Sequence, residues 1–162
     1  MDVMKRGNVM KLTLKNVNIN QRMSEETACF SATVCVDGHK IGTVVNRGTG
    51  GPNEYQWTDP MMGHALEDWA EKEVIVTEDP TDPGKVMFVT FEKLDWKIGE
   101  ALDAYEIERW LKRACRTKTV FKLNDKPDDW QVIDLPFCDL AKQRLRQTYG
   151  DNLGEIANER LV

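Results

Sequence analysis

Residues 27–57 read TACFSATVCVDGHKIGTVVNRGTGGPNEYQW, and this stretch decides the fold class. From Ala28 the chain alternates. Ala28, Phe30, Ala32, Val34 and Val36 point one way, while Cys29, Ser31, Thr33 and Cys35 point the other. A period of two is the signature of a strand with one buried face. Asp37-Gly38 suits the two positive-φ positions of a tight type I′ turn, and residues 39–46 return as the paired strand. The hairpin discharges into a glycine-rich loop, residues 46–55, which runs on toward a helix start at Asp59-Pro60.

On the N-terminal side, residues 10–18 alternate around Leu12, Leu14 and Val17 and add a strand, making an antiparallel meander. On the C-terminal side, Met62, Ala65, Leu66, Trp69 and Ala70 recur at helical spacing, with Glu67, Asp68, Glu71 and Glu73 mainly opposite them. Such a helix closes the apolar face of the meander. Residues 78–84, EDPTDPG, form a loop, and residues 85–91 a short strand rich in Val and Phe. Residues 94–102 read as a helical turn or two. Asp103 then caps a second helix with Ile107, Trp110, Leu111, Ala114 and Cys115 inward. Strands at 119–123 and 130–135 flank the polar turn NDKPDD. Pro136 precedes a third helix with Leu140, Ala141, Leu145 and Tyr149 inward and Gly150 as its stop, and residues 152–162 hold a last helical turn. Strands arrive in hairpins and not as regular β-α-β crossovers. The expectation is an α+β fold, an antiparallel meander and hairpins packed against about three helices. It forms one domain over residues 1–162, with a seam near 78–84 that would separate two lobes.

Composition narrows the chemistry. With 41% hydrophobic and 30% charged residues, the chain has an ordinary globular balance, and no apolar run reaches the length of a membrane span. Cys29, Cys35, Cys115 and Cys138 include no C-x-x-C pair, and His39 and His64 are the sole histidines. These spacings favour reduced, mostly buried thiols over zinc or a disulfide scaffold, so no metal or cofactor is expected. The net charge of −5 conceals a pattern: residues 59–108 hold 14 acidic and 4 basic side chains, whereas the segments on either side are weakly positive. A concentrated negative face repels nucleic acid and attracts basic surfaces, although acidic residues also serve simply to solvate helices.

No complete catalytic constellation appears. The glycine-rich loop, with Arg47, Asn53 and Tyr55, lacks the G-K-[ST] of a phosphate-binding loop and the β-α-β setting of a dinucleotide fingerprint. It reads as a tight connection needing positive φ at two or three glycines, or as a contact surface. His64 lies four residues before Asp68 with no nucleophile beside the pair. Arg113, Arg116, Lys118, Lys122 and Arg146 form a basic set near Trp110 and Trp130, suited to nucleic acid or to pairing with the acidic segment.

The segments VDGHKIGTVVNRGTGGPNEYQW (36–57) and KTVFKLNDKPDDW (118–130) resemble stretches of small, uncharacterised bacteriophage and prophage proteins. The resemblance implies a mobile-element accessory protein in a bacterial cytoplasm and carries over no functional residue. The leading expectation is a non-enzymatic binding protein, for example an inhibitor of a host nucleic-acid-directed defence complex such as a CRISPR effector. Its contacts would be Glu67, Asp68, Glu71, Glu78, Asp79 and Asp82, edged by Arg47, Asn53 and Tyr55. The alternatives are a nucleic-acid-binding accessory protein using the basic set, and a small nucleotide-binding or hydrolytic enzyme built on the loop and His64.

Overall fold

The computed structural model describes residues 10–161. Four α-helices and antiparallel sheets make an α+β fold, in which the chain divides into two compact units, Met1–Asp103 and Ala104–Val162.

The first unit is built on a four-stranded meander, β1 (Leu12–Ile19), β2 (Cys29–Val36), β3 (His39–Arg47) and β4 (Glu54–Trp57), neighbours in that order. The β2–β3 turn is the expected one, with positive φ at Asp37 and Gly38. β4 corrects the sequence reading. The glycine-rich loop joins two strands, and the first helix begins only after the second of them, so the loop does not feed a helix N-terminus. Helix α1 (Pro60–Lys72) starts as expected, with the Asp59 carboxylate accepting from the Met62 N–H. A hairpin of β5 (Val76–Glu78) and β6 (Val86–Phe88) follows, and residues 79–85 are its connecting turn.

Helix α2 (Lys93–Ala114) is one continuous helix where the sequence suggested two. Asp103 is an exposed mid-helix residue and caps nothing. Leu94, Ile98 and Leu102 hold one apolar stripe at a spacing of four, and the next buried residue, Leu111, comes about half a turn out of phase with it. That phase change imitates a helix boundary, but no proline enforces one, and Gly99 alone costs only about 1 kcal/mol. The division between the two units falls at this change of phase.

The core of the first unit gathers Leu14, Phe30, Ala32, Val34, Val36, Ile41 and Val44 from the meander with Leu66 and Ala70 of α1 and Leu94, Ile98 and Leu102 of α2. Each fully buried aliphatic side chain contributes about 1.5–3 kcal/mol. The alternation of β2 holds except at Cys35. The β2–β3 register shifts there, and this thiol, assigned to the outer face, is buried.

The second unit contains a three-stranded sheet with β7 (Thr119–Leu123) between β8 (Lys126–Ile133) and β9 (Leu153–Ile156), joined by α3 (Asp139–Tyr149) and α4 (Ala157–Leu161). β9 and the early start of β8, within the anticipated polar turn, went unforeseen. Thr119, Val120 and Phe121 are consecutively buried because both faces of β7 are covered. Val120 packs with Leu111 and Ala157, and Phe121 with Leu145 and Ile156. Asn158 is fully buried and ties the layers together. Its Oδ1 accepts from Val120 N–H at 2.8 Å, and its Nδ2 donates to the carbonyls of Lys118 (2.8 Å) and Cys115 (3.3 Å). Ile107, Trp110 and Leu140, expected inward, are about half exposed.

All four cysteines are free, but only Cys35 is buried. Cys29 and Cys115 are half-buried and Cys138 is exposed, at the start of α3. Burial pushes the Cys115 thiol above its ordinary range.

Candidate partner-binding surface

The loop between β3 and β4 is organised by buried Asn46, which follows Ile41 and Val44 on the inward face of β3. Its Oδ1 accepts from Thr27 Oγ1 and from the Gly48 N–H, both at 2.8 Å. Its Nδ2 donates to Gly51 O at 3.1 Å and to Asn53 Oδ1 at 2.9 Å. Gly48 and Gly50 have positive φ, which a chain wrapped this tightly around one carboxamide requires.

Asn53 and Tyr55 turn inward to Asp95 of α2. The Asn53 N–H donates to Asp95 Oδ2 at 3.0 Å and the Tyr55 hydroxyl to Oδ1 at 2.5 Å. Burial first, and then the bond to Asp95, push the Tyr55 phenol well above its ordinary range, so it stays neutral. Tyr55 stacks on Trp57 with ring centroids 5.1 Å apart. The Trp57 indole lies against β3 and α1 where both have glycine. A Cβ at Gly42 would stand 2.7 Å from Trp57 Cε3, and one at Gly63 2.6 Å from Cδ1. Of the three loop residues singled out in the sequence, Arg47 is exposed and pairs with Glu54 at 3.4 Å, while Asn53 and Tyr55 bind the loop to α2.

The acidic side chains of the first unit divide into two kinds. Glu67 accepts from Trp57 Nε1 at 3.1 Å and meets His64 Nδ1 at 3.2 Å. The partner of His64 is thus Glu67 and not Asp68, and both members of the pair are solvent-accessible. Glu78 accepts from the Gly84 N–H at 2.8 Å, and Asp79 accepts from the Thr81 N–H and hydroxyl. The Thr81 donors hold the Asp79 carboxyl below its ordinary range. These three carboxylates shape local structure, whereas the carboxylates of Asp68, Glu71 and Asp82 are exposed and make no hydrogen bond or ion pair among the described residues. Lys93 is committed elsewhere: its ammonium donates to the carbonyls of Glu71 (2.8 Å) and Glu73 (2.9 Å) at the end of α1.

A cleft of about 560 Å³ opens beside the loop, with Phe30, Ile75 and Leu102 among its apolar lining. Glu92, Asp95, Glu100 and Asp103 also line it, no Lys or Arg does among the described residues, and half-exposed Trp96 stands with them. Carboxylates beside an aromatic face favour a cation. Sequence reading missed this site because its parts come from four separate segments.

In the second unit, Arg113 and Arg116 share a surface groove of about 410 Å³ with Arg109, Lys112, Tyr105 and Glu108. Lys118 pairs with Asp134 at 3.8 Å, the Lys122 ammonium sits 4.4 Å from the Trp130 ring centroid, and Arg146 lies exposed on α3. The basic set is therefore dispersed over the end of α2 and the turn after it, one strand and a second helix. Among the described residues no group of acidic, His and Cys side chains is arranged to hold a metal, and no helix is long and apolar enough to cross a membrane.

Comparison with protein-family models, with curated proteins and with solved structures finds no match to this chain.

Proposed function

We propose that this protein is a non-enzymatic accessory protein of bacteriophage type, acting in a bacterial cytoplasm. It binds the basic channel of a host nucleic-acid-directed defence complex, such as a CRISPR effector, through the acidic surface of its first unit. The observation that carries this reading is the distribution of charge. The carboxylates of exposed Asp68, Glu71 and Asp82 make no internal pair among the described residues, and a cleft of the same unit is lined by Glu92, Asp95, Glu100 and Asp103, of which Asp95 is held by Asn53 and Tyr55 and Glu100 by Lys97. Negative side chains left unpaired raise the local potential and steer basic partners on encounter. A second reading, nucleic-acid binding, is favoured by the Arg109–Lys112–Arg113–Arg116 groove.

Capture of bacterial lysate proteins on the tagged chain, with and without nuclease, separates the two. A stoichiometric basic protein that survives nuclease and is displaced by added duplex DNA supports the first reading. Nucleic acid that co-purifies and disappears with nuclease supports the second. A solitary protein in lysates containing such complexes contradicts both.

A further inference from the structure

The β5–β6 hairpin carries its apolar side chains on the wrong side for a finished surface. Its register pairs Val76 with Phe88, Thr77 with Met87 and Glu78 with Val86. Ile75 and Val89, one step beyond, are 5% and 8% exposed and mark the inward face, on which Met87 is still 43% exposed. Side chains alternate, so Val76, Glu78, Val86 and Phe88 share the outward face. There Val76 is 49% exposed and Val86 and Phe88 are each 64% exposed. A half-buried antiparallel sheet ordinarily shows polar residues to water, and a two-stranded hairpin alone is marginal.

The backbone is open as well. The Val89 N–H donates to Ile75 O and the Asp79 N–H to Lys85 O, so by alternation the N–H and C=O groups of Val76, Glu78, Val86 and Phe88 point to the strand edges. Among the described residues this sheet has no third strand. Apolar side chains beside open edges template the addition of another strand.

Charge selects the occupant. Residues 71–92 carry Glu71, Glu73, Glu78, Asp79, Asp82 and Glu92 against Lys72 and Lys85. A second copy would bring the same carboxylates face to face. We propose that the outward face of the β5–β6 hairpin docks an extended segment of a protein partner in which apolar residues alternate with Lys or Arg, adding a strand to a free edge of the hairpin. This deepens the acidic-surface reading of the function and rests on it.

The test uses the whole chain and two fluorescent synthetic peptides, one alternating valine with lysine and one alternating valine with glutamate, with binding read by anisotropy. The variants are V86T/F88T, which keeps strand-forming residues, and D68K/E71K/D82K. The lysine peptide is expected to bind at least about tenfold more tightly than the glutamate peptide, and V86T/F88T to weaken it by a similar factor. Absence of lysine-peptide binding, or equal affinity for both peptides, overturns the proposal. So does self-association of the chain that V86T/F88T abolishes, which would make a second copy the occupant. If D68K/E71K/D82K loses the lysine peptide while V86T/F88T keeps it, the docking face is wrong and the acidic-surface reading stands. If neither variant loses it, both fail.

Discussion

Replacing Asn46 by Ala removes four hydrogen bonds from the loop between β3 and β4. Their consequences are unequal. Thr27, Gly51 and Asn53 are exposed or half-buried, so water takes over much of what the carboxamide supplied. The bond to the Gly48 N–H is buried, and a stranded buried donor costs about 1–3 kcal/mol. With a few tenths from each of the others, the expected loss is about 3 kcal/mol, below the sum of four independent bonds. Asn46→Asp should be worse near neutral pH, because it turns an acceptor toward Gly51 O and Asn53 Oδ1. Because the chain has two compact units, a single global midpoint is a poor readout. Amide hydrogen exchange resolves the effect: β2, β3 and β4 should lose protection while β7 and β9 keep theirs. A loss under about 0.5 kcal/mol, within the range of an ordinary surface substitution, would refute the assignment of Asn46 as the organiser of the loop.

Three further outcomes are expected. Gly63→Ala drives a methyl group into the Trp57 indole and should cost about 1–3 kcal/mol by denaturant titration, with a change in tryptophan emission. For Tyr55, the folded phenol titrates above its unfolded value of about 10, so its stabilising effect is complete below about pH 10 and is lost as pH rises further. Tyr55→Phe should flatten that alkaline decline relative to wild type while lowering stability near neutral pH by about 1 kcal/mol, from loss of the bond to Asp95. Asn158→Leu strands the Val120 N–H and two carbonyls in the second unit and should cost about 2–3 kcal/mol, read as lost exchange protection in β7.

The β2–β3 hairpin was legible because strict alternation and the Asp37-Gly38 turn agree. Helix α1 was legible because Asp59-Pro60 and its apolar spacing agree. β4 also alternates, with Tyr55 and Trp57 turned in, but it is four residues long and directly follows a Gly-Pro-Asn cluster. β5 is shorter still. The unity of α2 was hidden by the phase change between Leu102 and Leu111, since a helix that serves two cores looks like two helices in sequence. In the loop, Asn46 had a local signal, a polar residue in register with Val44 on an inward face. Asp95 had none, because its partners Asn53 and Tyr55 are about 40 positions away. The acidic segment was plain from composition. The split between carboxylates that shape turns, such as Glu78 and Asp79, and those left free, such as Asp68 and Asp82, depends on hydrogen bonds that only the fold creates.

The most direct measurement compares wild type with D68K/E71K/D82K for capture of a basic protein from nuclease-treated bacterial lysate, at low and moderate salt. The carboxylates at these three positions are exposed and make no hydrogen bond or ion pair among the described residues, so the fold should persist, as circular dichroism would verify. Recovery of the partner is expected to fall at least about tenfold in the variant, with a salt dependence in wild type that the variant has lost. Equal recovery by both proteins, with the variant folded, would contradict the acidic surface as the site of binding.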